Sequence, residues 1–233
     1  IILVNYLSLV ELRKDEIHEI RRGYMIHKNV LADFSGKEFS PVLDPTAFVH
    51  PLAAVIGNVM LGKRVMVSPF ASVRGDEGQP LFVGDDSNVQ DGVIIHALET
   101  EHEGHEISKN LVQVGGTKYA VYVGIRVSLA HQVQIHGPAY VGDDTFVGMK
   151  SLVFRATVGK GCVVEPMCVV MGVRVPDGRY VPAGTVLKSQ QDADALPHIS
   201  ADYPLKDLNK GVVHVNTNLA TGYNKIDFSK ISL

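Results

Sequence analysis

The sequence predicts a mainly β chain: a parallel β-helix of about seven triangular coils closed by a C-terminal α-helix. Two observations carry this prediction. An aliphatic residue recurs at every sixth position over long stretches, and a small or β-branched residue follows most of these anchors four positions later. A β-sandwich would place its turns at looser intervals, without a fixed six-residue phase.

The anchors run Leu43, Val49, Val55, Leu61, Val67, Val73, then in a second register Val83, Val89, Ile95. A third register holds Val123, Leu129, Ile135, Val141, Val147 and Val153. One-residue slips then lead to Val158, Val164, Val170 and to Val175, Val181, Leu187. Ala47, Ala53, Val59, Val65 and Ala71 are the small partners of the first register. Three such units close one coil, with the aliphatic residues stacked inside and the small residue at the corner. Each coil pairs with the next as a parallel strand, about 4.8 Å away. Glycines directly after anchors (Gly62, Gly84, Gly124, Gly142, Gly148, Gly159) are expected to serve tight turns. Cys162 and Cys168 fall at the small inward position and are expected to be buried free thiols.

Three segments depart from the repeat. Residues 1–40 read as an N-terminal arm or helix, on the strength of the amphipathic "VELRKDEIHEIRR". Residues 41–190 form the prism, with residues 98–120 inserted as a long loop, and long loops in regular scaffolds are usually functional. Residues 191–233 read as helical, and a helix laid along the prism would cover exposed strands.

Bulk properties exclude several classes. A formal charge of −3 gives no electrostatic case for nucleic acid or an anionic membrane. The apolar stretch "IILVNYLSLV" is half the roughly 20 residues that a bilayer span needs. It also has its basic residues, Arg13 and Lys14, on the wrong side for a secretory signal. The expected compartment is the cytoplasm, with export left open. Two cysteines do not make a disulfide framework.

The stretch "SLAHQVQIHGP" carries the chemistry. His131 and His136 are five apart, the wrong spacing for one face of a strand or a helix. The coil count resolves this. If the long loop occupies one corner, Ile135 lies three faces after Ile95 and directly above it. His96 and His136 each follow their anchor by one, so they stack on one outer face and can converge on a single ion. Arg74 follows Val73 and joins the same column one coil below. His131 sits on the preceding face near a corner and points away from this pair. It completes a site only by reaching a neighbouring chain, which predicts a homotrimer with interfacial metals. Three neutral histidines with an open fourth position are the ligand set of a catalytic zinc site. Most histidines are solvated or hydrogen-bonded, and that is the expectation for His18, His27, His50 and His198. His102 and His105 lie in the acidic loop and are also expected to be solvated.

Beyond this, "VMVSPFASVRGDEGQP", "VGDDSNVQDGVIIHALET", "KYAVYVGIRVSLAHQVQIHGPAYVGDDTFVGM" and "VPDGRYVPAGTV" resemble the gamma-class carbonic anhydrases, in the archaeal-type subclass with a long acidic loop. The resemblance spans residues 41–223, and hexapeptide-repeat proteins of this kind wind left-handed. It implies reversible hydration of CO2 to bicarbonate at metal sites between subunits of a homotrimer. His96 and His136 match the ligands from one subunit and His131 the ligand from its neighbour. The metal implied is zinc, with Fe(II) or Co(II) as alternatives. Glu77 in "RGDEG" matches the carboxylate beside the reacting water, and Glu99 in "HALET" the proton-shuttle glutamate. Arg74 and Asp76 match an interface ion-pair segment. Asn88, Gln90 and Asn216 match amides lining the pocket. Two departures stand out: the chain has no tryptophan, and His214 stands where a tyrosine is expected two before Asn216.

Two other functions fit the same repeat. A hexapeptide acyltransferase would need a catalytic histidine and an acyl-CoA, without the histidine trio. A non-catalytic trimeric assembly subunit would keep the fold without needing Glu99.

Overall fold

A computed structural model describes residues 25–228. The amphipathic N-terminal stretch "VELRKDEIHEIRR" lies outside the described residues.

Three parallel sheets form a left-handed triangular prism of about eight turns. Among the described residues, the first face has eight strands in the order Ile26–His27, Ala54–Gly57, Ser72–Gly75, Ile94–His96, Gln134–His136, Leu152–Phe154, Val169–Met171 and Val186–Leu187. The second face runs from Val42–Leu43 to Arg174–Val175 and the third from Phe48–Val49 to Tyr180–Val181, with seven strands each. The first face is longer because Ile26–His27 pairs in parallel with Ala54–Gly57. That strand has no six-residue phase with Leu43, so periodicity does not reveal it.

The anchors stack as the repeat requires. Val55 pairs with Val73, Val73 with Ile95, Ile95 with Ile135, and Ile135 with Val153. All of these are fully buried in one continuous apolar core. Burying one such side chain stabilises by about 1.5–3 kcal/mol, so a ladder of them supplies most of the favourable energy. Cys162 and Cys168 are free and buried at the corners.

The glycines after the anchors have a different role from the one expected. None of the six has a positive φ. Their neighbours in the adjacent coil approach too closely for a side chain. A Cβ at Gly84 would lie 2.7 Å from the Gly124 carbonyl oxygen. The left-handed corner positions fall two residues later and belong largely to side-chain-bearing residues, such as Arg64 (φ 51°), Asp86 (φ 62°), Arg126 (φ 54°) and Asp144 (φ 59°). Each carries a strain of roughly 1–2 kcal/mol. Coil-to-coil bonding offsets it: the Asp86 amide donates to the Lys63 carbonyl at 2.8 Å, and the Arg126 amide to Asp85 at 2.9 Å. Arg64 also grips Asp86, and Arg126 grips Asp144, through two hydrogen bonds each.

The C-terminal segment forms two helices, α1 (Gln190–Asp194) and α2 (Leu208–Tyr223). Helix α2 lies along the third face and packs against strands Phe48–Val49, Met66–Val67, Asn88–Val89 and Ser128–Leu129. Ala220 closes against Phe48 and Met66. The inserted loop holds two small antiparallel hairpins, Glu101–His102 with His105–Glu106 and Val112–Val114 with Thr117–Tyr119. Among the described residues, no helix is long and apolar enough to cross a membrane.

Candidate metal centre

Strand Ile94–His96 pairs with Gln134–His136 in the register Ile95 to Ile135, so His96 lies directly opposite His136. Their ring centroids are 5.4 Å apart and nearly perpendicular. Gly137 makes this fit possible. A Cβ there would stand 2.4 Å from the Ala120 carbonyl oxygen, while its amide donates to the His96 carbonyl at 2.9 Å. Burial, above all, lowers the His136 pKa and so favours the neutral imidazole, the form that can bind a cation. Its Nδ1 lies 3.3 Å from the Gly137 carbonyl oxygen, which leaves Nε2 for another partner.

His96 is more crowded. Its Nε2 lies 3.0 Å from Arg74 Nη2, 3.2 Å from Asp76 Oδ1 and 3.3 Å from Glu77 Oε1. One ring nitrogen holds either one lone pair or one proton, so these three groups compete for it. The ligand atoms of Asp76, Glu77 and His96 all lie within 4.8 Å of one another. Arg74 Nε also donates to Asp76 Oδ2 at 3.1 Å. Burial alone would raise the Asp76 carboxyl, but the His96 hydrogen bond and the Arg74 charge hold it below its usual range. Glu77 goes the other way: burial raises it, and the nearby Asp76 and Glu99 charges add to the rise against His96 and Arg74.

Glu99 stands at the root of the inserted loop, and the structure ties that root to Glu77. Asn110 Nδ2 donates to the Glu99 carbonyl at 2.7 Å. Thr100, fully buried, bonds to the Glu77 carbonyl and accepts from the Gln79 amide at 2.7 Å. Neither Thr100 nor Asn110 was singled out from the sequence. A threonine and an asparagine inside a polar loop carry no signal until the loop is folded back onto the prism.

The other residues singled out lie elsewhere on the same chain. Asn88 and Gln90 are on the third face beneath α2, where Gln90 Nε2 donates to Asn88 Oδ1 and Asn88 Nδ2 to Ser128 Oγ, both at 2.9 Å. Asn216 is buried on α2 and donates to the Val212 carbonyl of its own helix. His214 is exposed on that helix and lies beside Asn218. His131 is exposed at the corner between the third and first faces, with Nδ1 3.0 Å from Asp91 Oδ2. The set therefore divides into two groups: Arg74, Asp76, Glu77, His96, Glu99 and His136 on the first face, and Asn88, Gln90, His131 and Asn216 toward the third.

The donor chemistry of the first group suits a divalent cation. Two imidazoles project from adjacent strands beside two carboxylates, a combination of nitrogen and oxygen donors that zinc and similar ions accept.

No family model matches the chain. Among curated proteins, it is 53% identical over 216 residues to the carbonic anhydrase of Methanosarcina thermophila, covering 92% of this chain and 85% of that protein. It is 42% identical over 178 residues to the carboxysome assembly protein CcmM of a Nostoc species, covering 76% of this chain but only 30% of that longer protein. Among solved structures, a hexapeptide transferase family protein from Anaplasma phagocytophilum superposes with a TM-score of 0.61 at 24% identity. That match covers 79% of this chain and 93% of the other, and it establishes likeness of fold.

Proposed function

This chain belongs to the gamma-class carbonic anhydrase family, and from that premise we propose that it hydrates CO2 reversibly at metal sites shared between subunits of a homotrimer. The observation that carries the shared-site reading is the division of the candidate residues. His96 and His136 stand together on the first face, while His131 stands at a corner bonded to Asp91. Joining a first face to the corner of another copy would bring the three histidines together. The same edge supports such docking. Leu52, Phe70, Ile94, Met149 and Met167 are all large apolar residues that this chain leaves exposed around that corner. Large apolar side chains exposed repeatedly along one edge suit a protein interface.

His96 and His136, with His131 of the partner subunit, would hold the metal ion, zinc or in its place Fe(II) or Co(II). When bound, the metal acidifies water so that a hydroxide nucleophile exists near neutral pH. The rest falls to the chain's own side chains. Hydration of CO2 yields bicarbonate and one proton, and that proton must leave the site in every turnover. Glu77 is half-buried and holds its proton more tightly than an exposed glutamate, which suits it to a transient proton-carrying role. Glu99 stands next in line at the loop root and passes the proton to buffer. Arg74 and Asp76, joined through Nε and Oδ2, would serve as the ion-pair segment of the subunit interface. Gln90 on the third face and Asn216 on α2, both uncharged donors, would orient CO2 or bicarbonate oxygens without competing for the cation.

Subunit complementation tests this reading. His96→Ala and His131→Ala should each abolish metal binding and CO2 hydration. Unfolding and refolding the two variants together should restore about one quarter of the sites, because each restored site draws an intact half from each chain. No recovery in mixed trimers that retain the fold would defeat the shared site. A metal-loaded trimer without hydration activity would instead favour an assembly role, the direction to which the resemblance to CcmM points.

A further inference from the structure

We propose that Asp91 is the positioning residue that sets the tautomer of His131 and aims its Nε2 outward, toward the shared site. This inference rests on the reading of His131 as a metal ligand.

The coil register places the two residues together. Val89 pairs with Leu129, so Asp91 lies one coil below His131 at the same corner. The corner backbone is held on both sides. The Gln132 amide donates to the Asp91 carbonyl at 2.9 Å, and the Lys150 amide to the His131 carbonyl at 3.1 Å. Gln132 itself is in the left-handed region at φ 62°, the turn that presents His131 at the prism edge. Asp91 Oδ2 then lies 3.0 Å from His131 Nδ1. An ionised carboxylate only accepts, so Nδ1 carries the proton. The lone pair of the neutral ring is thereby confined to Nε2, on the edge facing away from Asp91.

As a source of stability this pair is negligible. Both side chains are about half exposed, at 55% and 50%, and exposed pairs contribute little. Its value is orientation. Imidazoles that bind metals commonly donate their second ring nitrogen to a carboxylate, which fixes ring and tautomer together. Among the described residues, the hydrogen-bond partner of the His131 ring is the Asp91 carboxylate.

The experiment uses the full-length apo protein and three variants, Asp91→Ala, Asp91→Asn and His131→Ala, each checked for folding by circular dichroism. Zn2+ and Co2+ affinities are measured by competition with a chelator, and the His131 tautomer by 15N NMR without metal. We expect Nδ1–H in the native protein and a shift toward Nε2–H in Asp91→Ala. Metal affinity should fall by about 10- to 100-fold in Asp91→Ala, with partial recovery in Asp91→Asn, whose amide oxygen can still accept. Native tautomer and native affinity in both Asp91 variants, with metal lost in His131→Ala, would overturn the role of Asp91 alone. Native affinity in His131→Ala would remove His131 from the ligand set, and this proposal with it.

Discussion

Thr100 Oγ1 donates to the carbonyl oxygen of Glu77 at 2.8 Å, and the Thr100 amide donates to the same oxygen at 3.0 Å. One buried residue thus locks the root of the inserted loop onto the turn that carries Glu77. Gly78 is needed for this contact, because a Cβ there would lie 2.2 Å from Thr100 Oγ1. Thr100→Val keeps the shape and removes the hydroxyl, leaving the half-buried Gln79 amide without its acceptor. The expected loss of stability is about 1–3 kcal/mol. CO2 hydration should fall as Glu77 and Glu99 lose their fixed separation, while metal content stays native. Native activity in weak buffer would show that the two acids need no such staple.

Glu99→Ala should slow turnover on the order of 10²-fold in weak buffer, and added imidazole should restore the rate. Metal binding should not change, since Glu99 is outside the proposed ligand set. Stopped-flow assays across a buffer series provide the check. Equal rates for variant and native protein at low buffer would remove the relay assignment.

Gly84→Ala should destabilise the prism by about 1–3 kcal/mol, the range expected of overpacking. Both nearest obstacles at 2.7 and 2.8 Å are backbone atoms of Gly124, which cannot swing aside. Gly104 is the contrast. It lies in the inserted loop at φ 78° with nothing near its absent side chain. Alanine there meets only conformational strain, of roughly 1–2 kcal/mol. Denaturant midpoints for the two variants separate crowding from strain.

Asp143 gives a pH dependence with a definite sign. Burial pushes its carboxyl up, but the Lys160 hydrogen bond and the Ile125 amide outweigh this and hold it below the usual range. A depressed folded-state pKa means the unfolded chain takes up the proton first. The contribution to stability is therefore complete above about pH 4, the unfolded value, and is lost as pH falls through the folded one. Asp143→Asn should be less stable than the native protein at neutral pH, with the gap closing in acid. Thermal melts from pH 7 down to pH 3 would expose a constant gap, which would contradict the assignment.

Burial pushes the Cys162 thiol up to about 11, and Cys168 is raised for the same reason. Both should resist a thiol-specific disulfide reagent at pH 8 in the folded protein and react promptly in denaturant. Fast labelling without unfolding would mean that the corner positions open to solvent.

Much of this molecule was legible in the six-residue repeat. The stacked anchors, the elevation of His136 above His96 and the inserted loop all follow from counting faces, because a coil of fixed length converts sequence distance into vertical register. The same arithmetic failed for Ile26–His27, which joins the first face across an irregular connection. It also misassigned the glycines: they answer to the proximity of the next coil, which no local pattern records.

Periodic burial is written into the order of residues, and with it the prism and the column of imidazoles. The polar contacts around that column appear only once the chain is folded. Arg74, Asp76 and Glu77 compete for one nitrogen of His96, Thr100 folds the loop root onto Glu77, and Asp91 faces His131. Those relations join short polar side chains from separate coils, and their strength depends on a few tenths of an ångström and on exclusion of water. Neither quantity has a period, so neither leaves a trace in the order of residues.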